Sequence, residues 1–290
     1  MLTDCVAGAA GAGSCAAAAI QIAQACLRRG LAVSPLALTG PNMPSSVEVH
    51  EGAQVAKINL LPPGAASEAE LAKYLAQAKA SGRTVIAIDF THPSAVNPNS
   101  ELYCRLGLPF VMGTTGGDRE RLMQVVKERA LYALIAPNMC KQIVAFQATM
   151  ESMAQNYPGS FGGYSLQVVE SHQKDKADTS GTAKKMVEYF NALKGGQPVQ
   201  EKDIVMLRQA DKQLAFGVPA EALPGHAWHT YTLTSSDGSV IFEFKHNVCG
   251  RSTYAEGVVD AVRFLARQIA GGTDKKLFDM IDVLRAGAMH

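Results

Sequence analysis

After Met1 come Leu2-Thr3-Asp4-Cys5-Val6-Ala7 and then Gly8-Ala9-Ala10-Gly11-Ala12-Gly13-Ser14, and the reading of this stretch decides the fold. The first six residues are a short strand. A small-residue helix then runs from about Cys15 to Arg29, with Gly30 just past it, where a left-handed residue ends a helix. A second strand, Ala32 to Thr39, stops at Gly40-Pro41-Asn42. Strand, glycine loop, helix and strand in this order read as a dinucleotide-binding unit. The glycines let the backbone turn tightly and approach a pyrophosphate, which rests on the helix N-terminus. Gly8, Ala10, Gly11, Ala12 and Gly13 are the candidate contacts. The pattern is imperfect, because Ser14 stands where a third glycine belongs, and a Gly/Ala-rich turn that only packs a helix on a sheet would look alike.

The end of the second strand bears on which dinucleotide. A carboxylate there would bind a ribose 2′-hydroxyl and repel a 2′-phosphate. Leu38-Thr39-Gly40 carries none, so Thr39 is the candidate contact and NADPH is favoured over NADH, although no arginine stands in the obvious clamping place.

Alternation continues through a helix Ala66–Ser81, a strand Thr84–Asp89, a helix begun by Pro93 and ending near Leu106, and a strand Pro109–Met112. A loop Gly113-Thr114-Thr115-Gly116, a helix from Asp118 and a strand Leu131–Ile135 follow. Such repetition predicts a parallel sheet with helices on both faces. Asp89-Phe90-Thr91 and Gly113-Thr114-Thr115 then lie at strand C-termini, the ligand edge of such a sheet; ordinary turn chemistry is the alternative for either loop alone.

After Ala136-Pro137-Asn138-Met139 the character changes. A long helix, Lys141–Asn156, precedes an apolar strand ending at Glu170. Residues from about Gly195 to Ala227 read as loop, with Pro198, Pro219 and Pro224. Strands His229–Thr234 and Ser239–Asn247 form a hairpin around Ser235-Ser236-Asp237-Gly238. A helix Tyr254–Ile269 and an amphipathic piece Lys275–Leu284 close the chain. The expectation is an α/β protein. Residues 1–138 and 255–290 form a Rossmann-like doubly wound parallel sheet, and 139–254 form an inserted α+β substrate and oligomerisation domain with a mixed, open sheet.

Chemistry concentrates in Glu170-Ser171-His172-Gln173-Lys174-Asp175-Lys176-Ala177-Asp178-Thr179-Ser180-Gly181-Thr182-Ala183. A strand emptying into a polar loop and then a helix supplies two things. His172 and Lys176 are titratable groups for proton transfer, and the N–H groups of Ser180, Gly181 and Thr182 open a helix where anions bind. Each residue has a plainer reading: loop His and Lys residues are usually solvated, Ser-Gly-Thr is a common helix start, and spacing alone does not choose between Lys174 and Lys176.

Of 290 residues, 47% are hydrophobic and 18% charged, which suits a packed core, and the net charge of +1 gives no reason to expect nucleic acid or an anionic membrane as partner. No apolar run approaches the roughly 20 residues of a membrane span. The six cysteines show no metal-ligand spacing and read as reduced core thiols of an intracellular protein. No targeting segment is visible, which fits a cytosolic protein or an organellar one without its leader.

Taken together the motifs resemble one family, the dihydrodipicolinate (4-hydroxy-tetrahydrodipicolinate) reductases. The matching pieces are Gly8-x-x-Gly11, Asp89-Phe90-Thr91, Gly113-Thr114-Thr115-Gly116, Ala136-Pro137-Asn138-Met139, Glu170-Ser171-His172, Lys176-x-Asp178-x-Ser180-Gly181-Thr182-Ala183 and Arg251-x-x-x-Ala255-x-Gly257. They occur in family order across nearly the whole chain. Gln173 in place of a second histidine, Thr179 in place of an Ala-Pro pair, and Thr39-Gly40 in place of an acidic/basic pair look like the plant-type branch. The resemblance implies NAD(P)H-dependent reduction of a cyclic, doubly carboxylated imine in lysine biosynthesis, without a metal. Lys176 would be the proton donor, and His172 would polarise the substrate or relay a proton. Gln173, Ser180, Gly181, Thr182 and Arg251 would hold the dicarboxylate, and Pro137, Asn138 and Met139 would join the cofactor contacts. It also implies a homodimer or homotetramer, in the plastid stroma if the source is a plant or alga and in the cytoplasm otherwise. Two readings compete: another two-domain dehydrogenase of amino-acid metabolism, and a nucleotide sensor that has lost catalysis, supported only by the degraded glycine loop.

Overall fold

Alternating apolar strands and helices assemble a parallel sheet in the computed structural model, which describes residues 3–8 and 14–287, with the backbone alone for 3–8 and 14–16. The chain divides into two compact units, Met1–Lys141 with Ser252–His290, and Gln142–Arg251. The first begins with β1 (Thr3–Gly8), α1 (Ser14–Arg28), β2 (Ala32–Val33), β3 (Leu36–Leu38), β4 (Ser46–Glu51), β5 (Gln54–Leu61), α2 (Ala65–Ala80) and β6 (Thr84–Asp89). It continues with α3 (Val96–Leu106), β7 (Phe110–Met112), α4 (Arg119–Glu128) and β8 (Ala133–Ile135). The second holds α5 (Lys141–Asn156, whose first residue belongs to the first unit), β9 (Ser165–His172), α6 (Gly181–Lys194), β10 (Val205–Leu207), α7 (Ala210–Ala215), β11 (His226–Thr234) and β12 (Ile241–Cys249). The chain then returns to the first unit with α8 (Ser252–Gly271), β13 (Leu277–Phe278) and α9 (Met280–Arg285).

Six strands pair in parallel in the order β13-β8-β7-β6-β1-β2, a Rossmann-like sheet whose order reverses between β1 and β6. Strand alternation sends Val85 and Ala87 to one face, where they join Phe110, Met112, Ala133 and Ile135 and pack with Leu71, Tyr103 and Val126. Ile86 and Ile88, equally buried, point to the other face. Local signals set the helix limits: Asp118 caps α4 by accepting the Arg121 amide at 2.9 Å, and Gly107, at φ 62°, ends α3 in the left-handed conformation.

Register does most to place the ligand edge. Gly8, Asp89, Met112 and Ile135 are partners in one continuous row, so the segments after β1, β6, β7 and β8 all leave the sheet at the same edge. Of the glycine-loop candidates, Gly8 ends β1, while Ala10, Gly11, Ala12 and Gly13 lie outside the described residues.

The strand read as Ala32–Thr39 is two strands. β2 stays with β1, but Pro35 has no N–H for a ladder, and the Ser34 hydroxyl accepts the Leu36 amide at 3.2 Å. The chain turns there, and β3 joins β5 and β4 in a separate three-stranded sheet. Val49 and Ile58 pack that sheet on Ala23 and Leu27 of α1. β4 and β5 went unread although Val47 and Val49 alternate with Glu48 and His50. The closing Lys275–Leu284 piece is likewise β13 and α9, divided at Asp279, which caps α9 by accepting the Ile281 and Asp282 amides.

The second unit is a mixed four-stranded sheet, β10-β9-β11-β12, with only β10 and β9 parallel. The stretch read as loop contains β10 and α7, and β11 begins at His226. Leu166, Val168, Leu233, Tyr231 and Phe244 share a core with Met186, Val187 and Phe190 of α6 and Met150 and Ala154 of α5. Cys26, Cys104 and Cys140 are buried free thiols, but Cys249 at the end of β12 is exposed, so not every cysteine is a core residue. Among the described residues no helix is long and apolar enough to cross a membrane.

Gly257, in the quoted Arg251-x-x-x-Ala255-x-Gly257 pattern, lets α8 lie against the segment after β8. A Cβ there would fall 1.7 Å from the Met139 carbonyl oxygen. Gly257→Ala should therefore lower the unfolding free energy by about 2–3 kcal/mol, measured as a lower urea midpoint at constant m-value. An unchanged midpoint would mean that helix and loop separate at no cost.

Candidate active site

In the first unit the edge is organised by Asp89, which is fully buried at the end of β6. Its Oδ1 accepts from the Thr91 amide (3.1 Å), the Thr91 hydroxyl (2.7 Å) and the Thr114 hydroxyl (2.8 Å). Its Oδ2 accepts from Asn99 Nδ2 and Tyr103 Oη, both at 2.9 Å. One carboxylate thus fixes the loops after β6 and β7 together, as a buried charge with every lone pair matched. Burial and the Asp89 charge push the Tyr103 hydroxyl well above its ordinary range, keeping it a donor. Gly113 admits the Phe90 ring closely, since a Cβ there would fall 2.3 Å from that ring and displace it. Thr115 follows Thr114 in the same loop, Asn138 accepts the Cys140 amide at 2.8 Å beyond Pro137, and Met139 is buried. Thr39 accompanies the other sheet, its amide donating to Leu61 at 2.9 Å. It lines a cavity of about 290 Å³ with Leu38, Leu61, Asn99 and Arg105, and Arg105 there pairs with Glu68 at 2.7 Å.

In the second unit one sheet face changes character along its length. Leu166 with Leu233, and Val168 with Tyr231 and Phe244, are apolar rows; the next row is Glu170, His229 and His246, and His172 follows. Glu170 is fully buried. Its Oε1 accepts from Arg208 Nη2 at 2.6 Å and its Oε2 from the Ser180 amide at 3.0 Å. His172 Nε2 and His229 Nε2 share a hydrogen bond of 3.3 Å, with Glu170 Oε2 4.0 Å and 3.8 Å from them. His229 stacks on His246 at 4.6 Å between ring centroids. His229 Nδ1, both His246 ring nitrogens and Tyr231 Oη are buried without a hydrogen-bond partner.

Burial holds His172 at about 3, well below its ordinary 6.5, and the Arg208 and Lys176 charges add to the effect. Burial lowers His246 to about 4, and it lowers His229 well below the ordinary range, with the neighbouring His246, His172 and Arg208 adding. His226, bonded to Ser171 Oγ at 2.7 Å, is lowered by burial too. These imidazoles are neutral at physiological pH.

The loop after β9 begins at Gln173, whose carbonyl accepts the Lys176 amide at 3.0 Å. Lys176 is half-buried, whereas Lys174 is exposed, which separates the two lysines that spacing did not. Its ammonium lies 2.7 Å from Asp178, which holds that carboxyl below its usual range. Ser180 is the N-cap of α6 without a side-chain cap bond. Because its amide donates to Glu170, the anion cradle read at Ser180, Gly181 and Thr182 loses one of its three N–H groups. At Gly181 the space a Cβ would take is open. Arg251 stands two residues past β12.

Arg208, Gln213 and His229 escaped the sequence reading. Gln213 Nε2 donates to the His172 carbonyl at 2.6 Å from α7. Glu170, His172 and His229 bring three ligand-type atoms within 4.8 Å of one another. The Arg208 guanidinium already neutralises that carboxylate, so a divalent ion there would meet a fixed positive charge; the set is a hydrogen-bonded ion-pair network.

The family model for the dihydrodipicolinate reductase N-terminus matches residues 36–139, and that for the C-terminus matches 142–284. The probable 4-hydroxy-tetrahydrodipicolinate reductase 1, chloroplastic, of Oryza sativa subsp. japonica is 55% identical over 207 residues, 71% of this chain and 60% of that protein. Reductase 2, chloroplastic, of Arabidopsis thaliana is 54% identical, with 71% of this chain and 59% of that one covered. The chain therefore spans about 60% of the length of these plant relatives. The reductase of Herminiimonas arsenicoxydans is 31% identical over 77% of this chain and 79% of its own. A solved structure, dipicolinate-bound dihydrodipicolinate reductase from Paenisporosarcina sp. TG-14, superposes with a TM-score of 0.61 at 17% identity, covering 96% of this chain and 97% of that one, a likeness of fold.

The neutral histidines make stability pH-dependent in a definite direction. Unfolded histidine takes up a proton near 6.5, while His172 and His246 in the fold do so only near 3 and 4. The unfolded state binds more protons between those values, so stability is fully present above about pH 6.5 and is lost as pH falls. The slope approaches about 1.4 kcal/mol per pH unit for each such histidine. Urea unfolding at pH 7, 6 and 5 should show the fall, and a flat profile would contradict the neutral cluster.

Proposed function

The chain belongs to the dihydrodipicolinate reductase family, and we propose that it reduces 4-hydroxy-tetrahydrodipicolinate, which loses its hydroxyl as water to give dihydrodipicolinate, to tetrahydrodipicolinate with NAD(P)H, in the diaminopimelate route to lysine. The observation that carries this reading is the loop after β9. It presents the half-buried Lys176 ammonium and, five residues on, the open helix start at Gly181, both tied to the buried Glu170 carboxylate, the first through Arg208 and the second through the Ser180 amide. A dianionic substrate needs a cation and N–H donors, and the enamine-like ring carbon left after hydride addition needs a proton.

In this reading Lys176 gives that proton, and Asp178 keeps its ammonium oriented. Gly181 and Thr182 hold one carboxylate at the start of α6, with Ser180, Gln173 and Arg251 as further substrate contacts. His172 acts as a neutral, buried imidazole that supports the substrate end of the loop through its bond to His229; since its charged form is disfavoured, a role as imidazolium acid does not suit it.

The first unit suits a nicotinamide dinucleotide. Gly8, Asp89, Met112 and Ile135 end on one edge, and Asp89 and the Gly113–Phe90 approach hold the loops carrying Thr91, Thr114 and Thr115 there. The bound cofactor would supply the hydride. The absence of a carboxylate at Thr39 supports NADPH over NADH, while Arg105 in the same cavity is paired with Glu68. The chloroplastic plant relatives support a plastid setting. Ile241 and Phe242 on edge strand β12 are exposed apolar residues that support self-association as a homodimer or homotetramer through the second unit.

A coupled assay following NADPH oxidation with freshly generated substrate should show turnover, faster with NADPH than with NADH. Lys176→Ala should lose about 10²-fold or more in kcat, and Lys174→Ala should stay within a few-fold of the parent. Full activity in Lys176→Ala would remove the proton-donor role. NADPH binding without any turnover would instead identify a silent sensor.

A further inference from the structure

We propose that Arg208 is the positioning residue of this site: its guanidinium holds the Glu170 carboxylate on one side and the backbone of the Lys176–Asp178 loop on the other. The role rests on the reductase reading of that loop; the geometry behind it does not.

Arg208 follows β10, which runs parallel to β9 with Leu207 opposite Ser171. Its side chain is only 15% exposed. Nε donates to the Lys176 carbonyl at 2.7 Å, Nη2 to Glu170 Oε1 at 2.6 Å and to the Asp178 carbonyl at 3.3 Å, and Nη1 to the Leu207 carbonyl at 3.2 Å. The other Glu170 oxygen takes the Ser180 amide. One ion pair therefore ties the loop to the strands at residues 176, 178 and 180. These are the residue read as proton donor, its carboxylate partner, and the cap of the helix read as anion cradle. With four of its five N–H groups bonded inside the protein, Arg208 serves the loop and its carboxylate first. Its planar fork reaches acceptors in several directions, which a lysine ammonium on a flexible stem cannot reproduce.

The same contacts set the electrostatics. The charged and titratable groups facing His172 are Glu170 on β9, Arg208 after β10, Lys176 in the loop, and His226 and His229 on β11, with His246 of β12 behind His229. Among these side chains Glu170 is the only anion, and a hydrogen bond to the His226 backbone also favours a proton on His172. Arg208 neutralises that carboxylate; without it, an unpaired buried charge would lie 3.8–4.0 Å from two imidazole nitrogens, and one of them would take up a proton.

The test compares the full chain with Arg208→Lys, Arg208→Met and the double variant Glu170→Gln/Arg208→Met. The readouts are kcat and KM, NADPH affinity by fluorescence, and the assigned His172 and His229 ring resonances as a function of pH. Arg208→Met should lose about 10²-fold in kcat, as expected of a displaced proton donor, with NADPH affinity unchanged, and one of the two rings should begin to titrate between pH 5 and 8. The double variant should abolish that new titration yet stay slow, because the loop remains untied. Arg208→Lys should keep both rings neutral and recover only part of kcat. A purely structural arginine would lower stability without moving the titration, so Arg208→Met with kcat within about threefold of the parent, or with both rings still silent, would overturn the proposal. If Arg208→Met does not fold, Arg208→Lys at full kcat, or a double variant that regains it, overturns the proposal equally. If the parent chain does not turn over, the reductase reading fails, while the ring titrations still judge whether Arg208 governs the site.

Discussion

A carboxylate removed entirely from water must be matched by charge and hydrogen bonds, or its desolvation cost of several kcal/mol goes unmet. Glu170 is such a group, and most of the second unit's site follows from satisfying it. Arg208 must come in from β10, the Ser180 amide must turn inward at the start of α6, and two imidazoles must stand neutral beside the second oxygen. The parallel pairing of β10 with β9 brings the arginine there, and the same arginine then fixes the loop that carries Lys176.

The first unit uses a related device. Asp89 is equally buried at the end of β6, but it is matched by neutral donors, two threonine hydroxyls, a backbone amide, an asparagine and a tyrosine, rather than by a cation. Neutral donors leave the local charge negative and orient two loops without a fixed positive group. At Glu170 the cation is retained, and it lowers the proton affinity of the histidines nearby. Two buried acids at strand ends thus do different work because one is matched by dipoles and the other by a charge.

The gradient along the second sheet shows how a site and a core share one face. The rows holding Leu166 and Val168 bury carbon against α5 and α6, and the row holding Glu170 gives the same face its polar end. Tyr231 sits at the change. Its ring packs on Phe190, while its hydroxyl is pushed up by burial and by the Glu170 charge.

Much was legible in residue order: the strand and helix alternation, the Asp89 and Gly113 loops, and the Glu170–Ala183 segment that carries His172, Lys176 and the α6 start. Those features are local, set by periodicities of 2.0 and 3.6 and by turn residues within a few positions. The strand written as Ala32–Thr39 misled because its apolar run hides Pro35, and the difference in burial between Lys174 and Lys176 is something that spacing does not carry. Arg208, His229 and Gln213 lie 38, 57 and 41 residues from their partners at Glu170, His172 and His172. Nothing local marks them, because they arrive only when β10 pairs beside β9 and β11 on its other edge. The sequence alone determined which residues could do the chemistry; the register of distant strands decided which of them are neutral, which are paired and which are left to act.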